Sequence, residues 1–371
     1  MFRSNLSPAR AGEVVTFGKR MQFPNSFCPA MKLNLYTKVV LLGMVVGSAL
    51  CQPAAAQSTP AVSKSDIEYD AVYDDPYDVN KMWLHFFPLH ADGFATNFNV
   101  GFGGQANYYL KNKFDFRLSA RKTYTKNTDF SRINGERRAV SDNRMEAFRY
   151  LEGGATYHLK DASTAGEAKI VVYTKRYSDN KWASTVPEFI RIPAKVRKIT
   201  GVRLGGYYWG SAANLGSVLE KQQVQLISAG NDTLSPVGLY GNIQSGGIYL
   251  GGSLATFRNV VIKPKKYDIA VNDVLFTGYA DILYAPYVQL QTVRVDGVNY
   301  ATDKVKLRNL GFRAGIEGMF NRDFSWSYGG EIGYRPSLQN RGFYASFKVG
   351  FAFASKMQQQ RQSYQTNTPE E

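Results

Sequence analysis

From Phe114 the chain reads FDFRLSARK, which puts Phe114, Phe116, Leu118 and Ala120 on one face and Asp115, Arg117, Ser119 and Arg121 on the other. A period of two with that contrast excludes an amphipathic helix and calls for a sheet with one apolar face. The same alternation runs from Phe98 to Leu110, Leu310 to Phe320, Phe324 to Tyr334 and Phe343 to Phe353. Strands of soluble sheets usually run about five or six residues, and these are longer. They meet the roughly 9 to 11 residues that a tilted strand needs to cross a bilayer, with one face apolar and the other polar and Gly-rich. An aromatic share of 14%, with 34 Gly, suits such strands better than a helix bundle.

An export signal precedes the strands. From Met31 the sequence is MKLNLYTKVVLLGMVVGSALCQPAAAQ, with Lys32 and Lys38 ahead of the apolar run Val39 to Leu50 and the small residues Ala54, Ala55 and Ala56 after it. The run is too short to span a bilayer, so it reads as a signal peptide at 31–56, with cleavage predicted after Ala56. Residues 1–30 read as an upstream extension outside the translated protein. Leu50 departs from the small residue expected before a lipidated cysteine, so Cys51 is not read as a lipid anchor. Both cysteines, Cys28 and Cys51, precede the cleavage point, and the exported chain is expected to lack disulfides, thiol catalysis and Cys-bound zinc.

The fold class read from these patterns is all-β: a transmembrane antiparallel up-and-down barrel over 81–356, flanked by an acidic leader at 57–80 and a polar tail at 357–371. Twelve strands are assigned, near 81–91, 94–110, 113–124, 146–160, 167–178, 196–210, 217–229, 239–262, 269–290, 306–320, 323–337 and 341–356; ten or fourteen are the alternatives. Short connections fall at 111–113, 161–166, 211–216, 263–268 and 321–323, and long polar ones at 125–145, 179–195 and 291–305. In outer-membrane barrels the short class faces the periplasm and the long class the outside.

With the signal peptide, the Ala56-Gln57 junction, the Tyr-, Gly- and Asn-rich strands and the aromatic last strand in view, residues 81–356 resemble outer-membrane β-barrel proteins of the Bacteroidetes type. The resemblance implies location in the cell outer membrane of a Gram-negative envelope, with outer-membrane lipid and the barrel-assembly machinery as partners. Such barrels often end at the aromatic residue of the last strand. Here Phe353 is followed by MQQQRQSYQTNTPEE.

The net charge of +15 is dispersed, with no basic cluster of five or more, so nucleic acid is not an expected partner. His85 and His90 flank Pro88 at odd spacing, which puts them on opposite faces and argues against a metal site. Ser253, in Gly251-Gly252-Ser253, resembles a nucleophile elbow only faintly, because it sits mid-strand. No phosphate loop or dinucleotide fingerprint is present, and no cofactor or catalytic residue is expected. Strand parity turns a set of charges inward: Arg117, Arg121, Glu152, Arg203, Asp281, Arg313, Glu317, Glu331, Arg335 and Lys348. They either pair across a narrow bore or line an open one. The leading expectation is a non-enzymatic barrel, either a narrow pore for small polar solutes or a structural scaffold. A barrel that binds an envelope protein partner in a secretion or motility machine is the alternative, and an outer-membrane lipid-modifying enzyme the weaker one.

Overall fold

The computed structural model describes residues 68–355 except 77–78, 80, 111–112, 179–180 and 266–267, and for 172–188 the backbone alone. The signal peptide, its cleavage site, residues 1–30 and the tail at 357–371 lie outside the described residues. Ten strands close a barrel in which every strand pairs antiparallel with its sequence neighbour. They are β1 (Met82–Phe94), β2 (Asn97–Leu110), β3 (Phe114–Thr123), β4 (Arg149–Ser178), β5 (Lys181–Asn214), β6 (Tyr240–Phe257), β7 (Val274–Leu290), β8 (Leu310–Phe320), β9 (Phe324–Tyr334) and β10 (Phe343–Ala354). β10 pairs with β1, which closes the sheet and leaves no barrel edge exposed.

The outward rows are apolar along their length: Leu118, Leu204, Leu250, Ile282, Phe312, Ile316 and Ile332 all stand exposed, Ile282 by 66%. Inward rows carry the polar residues. A soluble barrel would reverse that polarity, so the exterior is that of a membrane-spanning barrel. Aromatic side chains collect toward the two rims, among them Tyr108, Phe114, Tyr157, Phe324 and Phe353 at one and Phe98, Phe102, Tyr124 and Tyr284 at the other.

Ten strands rather than twelve result from two changes. The stretches 146–160 and 167–178 join in β4, and 196–210 is the upper part of β5, so 161–166 is strand, and 181–195, expected within a long rim loop, is the lower part of β5. The composition DASTAG suggests a turn, but each of its residues finds a partner between Ile199 and Ala194, and that unbroken ladder outweighs local turn preference. The stretch 217–229 is not a barrel strand. It holds a helix (Gly216–Gln222) and a three-residue strand, with Val218 and Leu219 buried in a cap of loops. The connection expected at 211–216 therefore lies at the long-loop rim, since β5 runs on to Asn214.

β4 and β5 are 30 and 34 residues long, against 10 to 18 for the other barrel strands. Their excess length forms an arm beyond the short-turn rim. Ala168, Ile170, Ile190, Ile192 and Ala194 on one face of the arm pack against Val260, Ile262 and Ala270 of a three-stranded sheet. The strand Tyr69–Asp74 from the acidic leader completes that sheet, and its Asp74 accepts the Lys195 backbone N–H at 3.0 and 3.1 Å.

At the opposite rim, Asp129 caps a helix, α1 (Phe130–Arg138), and accepts from Arg132 N, Asn97 Nδ2 and Phe148 N at 3.2, 2.8 and 2.9 Å. Burial pushes its carboxyl above the usual aspartate range, against the lowering effect of those donors. Asp129→Ala would strand three donors. It is expected to loosen loop 124–148 by about 1–3 kcal/mol, read as new protease cleavage within that loop while the barrel stays intact; unchanged resistance would show that the loop is held elsewhere.

Candidate functional site

The bore is filled in layers. At the short-turn end Trp83, Tyr109 and Phe257 stack edge to face, with Trp83–Tyr109 and Tyr109–Phe257 centroids 5.5 and 6.0 Å apart. Leu275, Met319 and Ile199 pack around them. Arg197, fully buried beside Phe257, binds both oxygens of Asp161 at 2.7 and 2.6 Å.

Above this plug lies a cavity of about 60 Å³, lined in part by His85, Asp115, His158, Ser253 and Ser327. That volume holds a few water molecules. His158 Nε2 engages Asp115 Oδ2 at 3.0 Å, and His85 Nδ1 lies 2.9 Å from Ser327 Oγ. Ser253 has no hydrogen bond to a histidine among the described residues.

His85 and His90 both point inward, 6% and 2% exposed, contrary to the opposite-face expectation. A bulge at Pro88, which cannot donate to the ladder, shifts the register of β1 against β2 between Phe87 and His90. The inward set therefore changes from Trp83, His85 and Phe87 to His90, Asp92 and Phe94.

The charged residues singled out by parity all face the bore and form three connected groups. In the first, Glu317 pairs with Arg117 and accepts from Lys348 Nζ at 2.6 Å, while Lys348 also donates to Gln105 at 2.7 Å. In the second, Arg313 binds both oxygens of Glu152 at 2.8 Å and donates through Nε to Asp281 at 2.7 Å. Arg203 stands 3.5 Å from Asp281 and lies over the Tyr279 ring at 3.9 Å; Arg121 lies over Tyr150 at 4.6 Å. Tyr279 and Tyr344 donate to the two oxygens of Glu331 at 2.7 and 2.6 Å. In the third, Arg335 grips Asp92 at 2.9 and 2.5 Å.

Glycine makes the second group geometrically feasible. A Cβ on Gly251 would come within 2.2 Å of Asp281 Oδ1, and one on Gly315 within 2.5 Å of the Tyr279 phenol, so the flat groups lie on bare backbone. Parity alone missed Asp92, because the bulge shifts it, and the inward tyrosines Tyr150, Tyr249, Tyr279 and Tyr344, which supply hydrogen bonds or ring faces to the charges. Pro88 was the available signal for the first.

A second apolar layer closes the long-loop end. Phe94 meets Trp209 at 5.2 Å, and Phe148, Leu215, Leu219, Leu226, Leu239 and Val293 join them from strands and loops. The interior can hold charge in fixed pairs and a little water, and among the described residues no ring of like charges lines it.

No family model and no curated protein matches this chain. Among solved structures the chain is similar to the NanC porin, at 7% identity over 74% of this chain and 98% of that one, with a TM-score of 0.25. It is also similar to the KdgM porin in complex with disordered oligogalacturonate, at 9% identity, 74% and 99% coverage and a TM-score of 0.21. The Pseudomonas putida toluene transporter TodX is 12% identical, with 74% and 89% coverage and a TM-score of 0.19. Likenesses this distant assign neither a solute nor a mechanism.

Proposed function

We propose that this chain is a closed, non-enzymatic barrel of the outer membrane that anchors the β4–β5 arm and presents it to an envelope protein partner. The observation that carries the reading is the filled bore: paired charges in the middle and apolar plugs at both ends favour a scaffold over a solute pore. Loop lengths support the orientation, because the short connections at 111–113 and 321–323 share the rim from which the arm leaves. On that reading the arm stands in the periplasm.

The arm is also basic. Residues 159–198 carry nine Lys and Arg against four Asp and Glu. Lys160, Lys169, Arg191, Lys195 and Lys198 are exposed on it, so an acidic protein surface is the expected complement.

The test joins conductance and contact. In planar bilayers the purified barrel is expected to be silent, and a steady open channel would overturn the closed-anchor reading. A photo-crosslinker at Lys169 in cells is expected to trap a defined partner, and Arg191→Glu with Lys195→Glu to abolish that product while heat-modifiable gel migration persists. An undiminished product would remove the arm's charge from the recognition.

A further inference from the structure

On the outer wall between β2 and β5, two neighbouring rungs combine a gap with charge. The upper rung runs Phe102, Lys122, Arg149 and Gly210 across four strands; the lower runs Gly104, Ala120, Leu151 and Tyr208. Small side chains at Gly104 and Ala120 leave a recess of about 410 Å³ between the bulk of Phe102 and that of Leu151 and Tyr208. The space is real at its floor: a Cβ on Gly104 would meet only His85 O, at 3.8 Å. Its volume lies within the range of about 300–1,000 Å³ found for small-molecule sites.

The mouth of the recess is cationic. Lys122 and Arg149 are direct cross-strand neighbours, and like charges so placed repel one another unless an anion joins them. Lys122 has no acidic partner among the described residues. Arg149 reaches Glu146 at 3.1 Å and the Tyr208 hydroxyl at 3.2 Å, but Glu146 is shared with the Gln244 amide at 3.1 and 3.2 Å. Tyr208 in turn donates to Gln244 Oε1 at 3.0 Å. Beside the two cations there is thus a shelf of phenol and amide groups, chemistry that suits sugar hydroxyls.

We propose that this recess binds a phosphate-bearing glycolipid of the leaflet at the long-loop rim. One acyl chain would lie over Gly104 and Ala120, a phosphate on Lys122 and Arg149, and the sugar against Tyr208 and Gln244. The assignment rests on the membrane-spanning reading, because the same rows that frame the recess, Phe102, Leu118, Leu151 and Leu204, form the exposed apolar wall. The charge pair distinguishes the occupant from a neutral or zwitterionic lipid, and the sugar shelf from a simple anionic phospholipid.

Native mass spectrometry of the full chain in non-ionic detergent, with diphosphoryl lipid A as the probe, tests the site. One retained lipid is expected on the unaltered protein. Lys122→Gln with Arg149→Gln should weaken retention on the order of tenfold or more, and Ala120→Leu should weaken it comparably by filling the recess while leaving both cations in place. Phosphatidylglycerol should bind more weakly, and inorganic phosphate should not compete. Equal retention by all variants, which marks ordinary annular lipid, would overturn the proposal, as would equal binding of phosphatidylglycerol or displacement by inorganic phosphate. A protein that stays in solution without detergent would instead end the membrane reading before any lipid is added.

Discussion

Arg313→Ala is expected to destabilise the barrel by about 3–5 kcal/mol, the range for removing one partner of a buried ion pair. Its guanidinium is the only group that binds Glu152 through two nitrogens while donating to Asp281, among the described residues, and it also stands 3.5 Å from Glu331. The truncation leaves three buried carboxylates with Arg203 and Arg121 as neighbouring cations. The cost arises from stranded charge rather than from the worth of the pair, so Arg313→Met with Glu152→Leu and Asp281→Leu should recover much of it. Heat- or urea-dependent gel migration of the detergent-solubilised barrel reads both variants. A loss below about 1 kcal/mol for Arg313→Ala would mean that water reaches and screens the layer, and would put the closed bore itself in question.

Leu118→Arg and Ile316→Arg should each cost about 2–4 kcal/mol, the penalty for a basic side chain on the lipid face near the bilayer midplane. Both residues stand in the middle of short strands and are exposed by 56% and 46%. In a water-soluble barrel, exposed sites of this kind would tolerate the charge with little effect. Insertion yield into vesicles and the refolding midpoint measure the difference, and wild-type behaviour of both variants would contradict a lipid-facing exterior. Read from alternation alone, Arg117→Leu is expected to spare assembly. With Glu317 as its partner inside the bore, the structure changes that expectation to a measurable loss, moderated because Lys348 still binds the same carboxylate.

The two experiments separate the wall from its filling, and the sequence is informative about them to different degrees. Wall polarity is a local property. A side-chain period of two follows from strand geometry, so Phe114 to Arg121 or Phe324 to Tyr334 can be sorted into outer and inner rows with no knowledge of their neighbours. The ten charged residues named from that parity all face the bore for the same reason. Where a bulge intervenes, parity fails, and Pro88 shifts His90 and Asp92 relative to His85.

Strand count and pairing are not local. Whether 161–166 turns or continues depends on the presence of 194–199 across the hairpin, and whether 217–229 is strand or helix depends on the apolar cap that receives Val218 and Leu219. The sequence alone therefore determined the alternating wall, the inward placement of the charges and the surplus of aromatic residues on the outer face, because each follows from backbone geometry one residue at a time. Only the tertiary structure decided that the bore is filled, that Arg313 joins β4, β7 and β9 through Glu152, Asp281 and Glu331, and that the longest hairpin leaves the barrel as an arm. Those outcomes depend on which strands meet across a closed ring, and a pairing such as that of Arg313 with Glu152, 161 positions away, is set by packing and charge complementarity that no local pattern records.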